Sequence, residues 1–300
     1  MITLQESLRG LFYAPFYAAL SRNAFAAEGV EVRFVSSPEP SKALDALING
    51  TADIGWGGPM RVNAGYRDVP NADFKCFAEV VTKDPFFLVT RDAKPAFNPA
   101  DLMGLTLATV SEVPTPWLCL QHDVRLAGCD PDRICRITDR TMAQNVAALR
   151  AGEVDVVQLF QPYVEELVED GFHIWYAAAE RGLCSYTTLY CRDAVMQAKP
   201  AEFAAMVRGL NRTLQWVHAV DATALAEAAK PYFPDVPMPR LIAIIARYKA
   251  LGIWGQSPIL PRAGYDRLLK SMVSAGFVNP GVPYEVAVDN SLAEAAVRAG

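Results

Sequence analysis

The stretch Ala46-Leu47-Ile48-Asn49-Gly50-Thr51-Ala52-Asp53-Ile54 recurs later in the chain as Ala148-Leu149-Arg150-Ala151-Gly152-Glu153-Val154-Asp155-Val156, with Ala-Leu, Gly and Asp in the same register. Each copy reads as the end of an amphipathic helix, a glycine that stops it, a tight turn, and a buried strand opening at the aspartate. Two such helix-turn-strand units predict two similar α/β units in one chain. Asp53 and Asp155 both follow a glycine turn, which is ordinary turn chemistry, and they are read as structural carboxylates and not as a catalytic pair.

After each repeated strand comes a loop of special composition, Trp56-Gly57-Gly58-Pro59 in the first unit and Phe160-Gln161-Pro162 in the second. Ligands of open α/β sheets sit off the carboxyl ends of the strands, so the two loops place a binding cleft between the units. Further out, Val30–Val35 and Leu105–Val110 are short β-like runs next to helical stretches, the alternation expected of sheets flanked by helices. The first helix is expected over Pro15–Ala27, with Gly29 just beyond it. Others are expected over Pro116–Ala127, Ala201–Val217 and Arg240–Leu251. Two β-rich stretches, Pro85–Thr90 and Tyr186–Tyr190, read as crossings between lobes. They divide the chain into a discontinuous first lobe, 1–87 with 188–300, and a second lobe, 88–187.

At 300 residues, with 52% hydrophobic content, the chain is long enough for two such cores. A formal net charge of −5 and the lack of any Lys/Arg block argue against nucleic acid or an anionic membrane surface as partner. No apolar run approaches the ~20 residues of a membrane span. Met1-Ile2-Thr3-Leu4 runs almost at once into a strand, which carries the expectation of a secretion segment already removed and a periplasmic protein, with a cytoplasmic one as the alternative. The six cysteines, Cys76, Cys119, Cys129, Cys135, Cys184 and Cys191, form no CxxC pair and read mostly as buried apolar residues. His122, His173 and His218 are scattered singly, so no metal site is assigned.

Three runs carry a family resemblance: Tyr13-Ala14-Pro15-Phe16-Tyr17-Ala18-Ala19, Ala27-Glu28-Gly29-Val30-Glu31-Val32, and Ser41-Lys42-Ala43-Leu44 through Gly50 and Ala52-Asp53-Ile54-Gly55. With Gln161-Pro162-Tyr163 through Glu169-Asp170-Gly171 they resemble the nitrate/sulfonate/bicarbonate and thiamine-pyrimidine binding proteins of ABC importers, in order along nearly the whole chain. The resemblance implies a type II periplasmic-binding-protein fold: two α/β lobes joined by a two-strand hinge, closure on a small-molecule solute, delivery to a membrane permease, and a monomer. Leu183-Cys184-Ser185-Tyr186-Thr187-Thr188-Leu189-Tyr190-Cys191 also resembles the fungal thiamine-pyrimidine synthases on the same fold. Those enzymes place a Lys and a His after the aspartate of the first repeat strand, whereas here the stretch is Gly55-Trp56-Gly57-Gly58-Pro59-Met60-Arg61. Without the Lys there is no Schiff base with pyridoxal phosphate, so binding is favoured over synthesis, and a cytoplasmic enzyme is the alternative.

Candidate ligand contacts follow from the loops. Trp56 offers an aromatic face, while Gly57 and Gly58 let backbone N–H groups approach a ligand. Ser111, Glu112 and Thr115 precede a helix whose N-terminus favours anions, and Glu112 is suited to an amino group such as that of an aminopyrimidine. Ser37 and Pro38 precede the first repeat helix, Phe160 and Gln161 mirror the Gly58 region, and Thr187 follows the second crossing. Phe12 and Tyr13 resemble the family's position for aromatic walls. These aromatic residues favour an aromatic or heteroaromatic solute over bare nitrate or bicarbonate, with Arg61 and Lys83 the remaining cations. No Ser-His-Asp order, phosphate-binding glycine loop or paired-carboxylate motif is present, and neither a catalytic residue nor a cofactor is assigned.

Overall fold

The computed structural model describes residues 1–300. Ten strands, β1 Ile2–Glu6, β2 Val32–Ser36, β3 Ile54–Gly57, β4 Phe74–Val81, β5 Phe87–Thr90, β6 Thr106–Ala108, β7 Cys135–Ile137, β8 Val156–Leu159, β9 His173–Ala177 and β10 Thr187–Arg192, build two five-stranded sheets. The first runs β2-β1-β3-β10-β4 and the second β7-β6-β8-β5-β9. In each, the second strand pairs in parallel with both neighbours, β1 with β2 and β3, and β6 with β7 and β8. In each, the fourth strand is antiparallel: β10 lies between β3 and β4, and β5 between β8 and β9. The chain passes from the first sheet to the second between Val81 and Phe87, and returns between Ala177 and Thr187.

The repeated sequence produces a repeated hydrogen-bond clamp. Asp53 Oδ2 accepts the backbone N–H of Thr3 at 2.9 Å, and Asp155 Oδ2 accepts that of Thr106 at 2.8 Å. The Asp53 and Asp155 N–H groups return bonds to the Thr3 and Thr106 carbonyls, each at 3.0 Å. Each aspartate thus fixes the register of its strand against the adjacent parallel strand. The preceding glycines, Gly50 and Gly152, stand at φ of 73° and 76°, where a β-carbon is disfavoured.

The helices are α1 Ala14–Ser21, α2 Asp45–Ile48, α3 Pro59–Asp68, α4 Thr115–Leu126, α5 Met142–Ala151, α6 Tyr163–Glu169, α7 Asp193–Ala198, α8 Pro200–Ala219, α9 Ala222–Ala229, α10 Met238–Leu251, α11 Arg262–Ser274, α12 Tyr284–Ala287 and α13 Ser291–Arg298. None is long and apolar enough to cross a membrane. The first helix ends at Ser21 and not near Ala27, because Asn23 turns into the left-handed region at φ 55° and a separate short turn, Ala26–Glu28, leads to Gly29. Asparagine tolerates that conformation better than other non-glycine residues. Of the cysteines, Cys76, Cys119, Cys184 and Cys191 are buried, while Cys129 is half-buried and Cys135 exposed.

Two charged groups are deeply buried where the lobes join. Arg181, on the returning crossing, pairs with Asp84 on the outgoing one and with Asp123 of α4, while Arg267 of α11 holds the second oxygen of Asp123 at 3.0 Å. Asp84 is fully buried and the Arg181 side chain is 3% exposed. Burial works against the Arg181 charge, yet the two carboxylates outweigh it and raise its pKa well above the ordinary value. Burial lifts the Asp84 carboxyl above its ordinary range, with Arg181 opposing.

Glu79 of β4, opposite Thr188 of β10, is 1% exposed and its Oε1 has no partner. Burial pushes its carboxyl up to about 8, with the Ser185 and Thr82 hydroxyls opposing. Between about pH 4.5, where the unfolded chain releases this proton, and about pH 8, the native state holds one proton more. Stability therefore falls as pH rises through that window. Glu79→Gln is expected to remove the effect: between pH 5 and pH 9 the wild type should lose a few kcal/mol more than the variant in urea unfolding. Parallel pH profiles would refute this reading.

Candidate functional site

The cavity between the sheets is built from the carboxyl ends of the parallel strands. Ser7 and Leu8 follow β1, Gly58, Met60 and Arg61 follow β3, Val113 and Thr115 follow β6, and Phe160 follows β8. The turn Leu11–Tyr13 adds Phe12 and Tyr13, and the crossings add Phe86 and Tyr186. Its volume is about 30 Å³. The aromatic walls meet across it. Phe12 from the first lobe stands edge-on to Phe160 from the second at 5.2 Å, and Phe86 stands edge-on to Phe160 at 5.2 Å. The Phe12 carbonyl is held by Trp254 Nε1 at 2.8 Å.

Within this apolar wall sits one unbalanced positive charge. Arg61 is 8% exposed, and no carboxylate pairs with it; its guanidinium donates to the Pro40 carbonyl. Glu6, just before Ser7, is already engaged by Arg9 at 2.5 Å, Ser36 at 2.6 Å and Tyr17 at 2.7 Å. Ser7 Oγ, Tyr186 OH and Thr187 Oγ1 are buried without a partner. Burial raises the Tyr13 hydroxyl pKa, while the neighbouring Ser7 hydroxyl and the Arg61 charge oppose that rise. Burial likewise lifts the Tyr186 hydroxyl well above its usual range. A buried guanidinium and unpartnered hydroxyls carry a desolvation cost that an incoming oxyanion would offset. No cysteine, histidine, aspartate or glutamate lines the cavity, and no three such groups gather anywhere to hold a metal.

Of the residues singled out in the sequence, Phe12, Tyr13, Gly58, Thr115 and Phe160 line the cavity. Thr187 is buried behind Tyr13. Trp56 lies elsewhere: fully buried, it stacks on Phe16 at 4.5 Å and Phe34 at 5.1 Å inside the first lobe. Gly57 is off the wall too, but a β-carbon there would lie 3.0 Å from Arg61 Nε, so it makes room for that side chain. At Gly58 a β-carbon would meet the Tyr186 carbonyl at 2.9 Å, so only glycine leaves room there for the returning crossing.

The other candidates face away from the cavity. Ser37 Oγ donates to the Glu39 carbonyl at 2.7 Å, and Pro38 is exposed beside α2 on a different surface groove. Ser111 is exposed, and Glu112 Oε1 accepts the Met142 N–H at 3.0 Å, so that carboxylate holds the start of α5 in place of an amino group. Gln161 folds onto the start of α6, exchanging bonds with Glu165 at 2.9 and 3.1 Å. Lys83 donates to the Leu251 carbonyl at 2.9 Å and is not on the wall. Ser7, Met60, Phe86 and Val113 were not visible as candidates; Ser7 could have been found as the first residue beyond β1.

Known proteins share this architecture. A Bacillus subtilis (strain 168) protein named as a candidate binding protein, YtlA, is 24% identical over 299 residues, covering 98% of this chain and 89% of its own. The periplasmic aliphatic sulphonate binding protein SsuA of Escherichia coli superposes with a TM-score of 0.74 at 15% identity, covering 92% of this chain and 93% of SsuA. The desulfurization enzyme DSZB superposes with a TM-score of 0.71 at 13% identity, covering 100% and 99%. Binding proteins and an enzyme thus share the type II periplasmic-binding-protein fold seen here. The family model described as NMT1/THI5 like matches residues 12–224, well over half of the chain, and with its two mirrored sheets this protein belongs to the NMT1/THI5-like family.

Proposed function

We propose that this protein is the solute-binding component of an ABC importer, acting in the periplasm as a monomer and delivering its cargo to a membrane permease. The cargo is a small solute with a compact oxyanion, sulfonate-like or carboxylate-like, on an aromatic or apolar body. The observation that carries this reading is Arg61, a buried cation with no acidic partner, placed on one aromatic-walled cavity with Ser7 and Tyr186. The guanidinium fork matches a planar or tetrahedral oxyanion, and the rings of Phe12, Phe86, Phe160 and Tyr186 suit the body.

The cavity is too small for such a solute while the rings touch. Entry needs the two lobes, 1–87 with 188–300 and 88–187, to separate about the two crossings and then close. Capture is favoured over turnover because the wall holds no nucleophile-and-base pair. A thermal-shift screen over benzenesulfonate, methanesulfonate, aromatic carboxylates, nitrate and a thiamine pyrimidine tests the reading. A ligand at about 100 times its Kd stabilises by about 2.7 kcal/mol, so a saturable rise in Tm is expected for an oxyanion with an apolar body. A flat response across the panel would overturn it.

A further inference from the structure

Cys119 and Cys184 are far apart in sequence, yet their sulfurs lie 3.9 Å apart. Both side chains are buried, 1% and 0% exposed. Cys184 falls within the 88–187 span, but its backbone bonds go to the first lobe, so the two thiols sit on parts that separate when the cleft opens. Cys119 is on α4, which is tied to the second lobe where Gln158 of β8 donates to the Pro116 carbonyl at 3.0 Å. Cys184 is on the returning crossing, and its neighbourhood is bonded to the first lobe: Cys184 N–H to the Thr82 carbonyl at 2.9 Å, Ser185 N–H to Gly264 at 3.1 Å, and Tyr186 N–H to Val81 at 2.8 Å. The thiols share a buried cluster with Met60, which lines the cavity, and with Leu268 and Met272 of α11.

We infer that Cys119 and Cys184 form a disulfide site across the seam between the lobes, and that oxidation by a low-molecular-weight disulfide fastens the cleft closed. The chemistry balances with oxidised glutathione as the oxidant. One protein thiol, as thiolate, attacks a glutathione sulfur, forming a mixed disulfide and releasing one glutathione thiol. The second protein thiolate then attacks the protein-side sulfur, the Cys119–Cys184 bond forms, and the second glutathione leaves as its thiol. Two protons and two electrons pass from the protein to the oxidant. The sulfurs must close from 3.9 Å to the ~2.05 Å of a disulfide. The adjacent Cys119 sulfur and burial together raise the Cys184 pKa well above the ordinary thiol value. Both thiols are buried away from any outside disulfide in the closed form, so reaction proceeds through the separated state. Cys135, exposed, and Cys129, half-buried, have no such partner and should end as glutathione adducts.

The inference rests on the lobes separating in solution, and its test does not need a cargo. The full-length protein is incubated with oxidised glutathione, free thiols are blocked with N-ethylmaleimide, and peptides are mapped by mass spectrometry. The expected product joins the peptides carrying residues 119 and 184, lighter by two hydrogens. Amide hydrogen exchange at Phe160 and Tyr186 should then slow more than tenfold and recover with dithiothreitol. Cys119→Ser and Cys184→Ser should each lose both effects while keeping the native circular dichroism. Thiols at 119 and 184 that stay free or carry only glutathione would overturn the inference, and so would a formed link that leaves exchange unchanged. A failed solute screen would leave these outcomes readable, so the two readings fail separately.

Discussion

Replacing Arg61 with methionine is expected to weaken binding of the oxyanion solute at least about thirtyfold while leaving the empty protein as stable or more so. In the closed complex the guanidinium would face the oxyanion in a desolvated, aromatic-walled space, and removing one member of such a pair costs about 2–5 kcal/mol, at least about thirtyfold in Kd. In the empty protein the same side chain is 8% exposed with no carboxylate beside it. Exchanging it for an apolar chain of similar length relieves an uncompensated desolvation. Opposite signs in the two measurements, calorimetric titration with benzenesulfonate and urea unfolding without it, mark a binding residue. If the variant binds normally, or unfolds at much lower urea with binding intact, Arg61 is a structural cation and the proposed oxyanion site is wrong.

The largest stability loss is expected at Arg181. Arg181→Met leaves Asp84, fully buried, and Asp123, whose side chain is 11% exposed, with two negative charges and only Arg267 to balance them. Breaking a buried pair by removing one partner costs about 3–5 kcal/mol. The sign of the pH effect separates this from simple loss of packing. Burial already raises the Asp84 pKa, and without Arg181 it rises further, so acidification protonates Asp84 in the folded variant before it protonates it in the unfolded chain. The deficit should therefore shrink as pH falls from 7 toward 5. A deficit independent of pH would place the loss in packing alone.

The parts of the fold that were legible in the sequence are those with local chemistry. The glycine stop and the aspartate after it define each repeated strand, because the carboxylate closes a bond to the adjacent parallel strand. The cleft followed from the rule about strand carboxyl ends, and Phe12, Tyr13, Gly58, Thr115 and Phe160 do line it. Trp56 did not, since composition marks an aromatic ring but not which face of a buried strand looks toward the cavity. Arg61 was hard to weigh for a different reason. What singles it out is the lack of an acid nearby in space, with Glu6 already held by Arg9, and sequence neighbours carry no trace of that. Ser37 found a local backbone partner instead, the common fate of short polar side chains near helix starts, while Glu112 took the distant backbone N–H of Met142, which no sequence spacing foretells. The Cys119–Cys184 approach depends on how α4 meets the returning crossing, which no spacing encodes.

The position of β10 sets an order of events during synthesis. The second sheet is made of one continuous segment, and its last strand, β9, ends at Ala177. The first sheet cannot close then, because β4 pairs with no strand other than β10, and β10 is also the partner that covers the free edge of β3. A chain emerging from its N-terminus thus holds an open β3 edge and an unpaired, largely apolar β4 while the entire second lobe is being made. Such edges are templates for wrong pairing, so the interval before Arg192 emerges is when the nascent chain most needs shielding by a chaperone or by its own finished lobe.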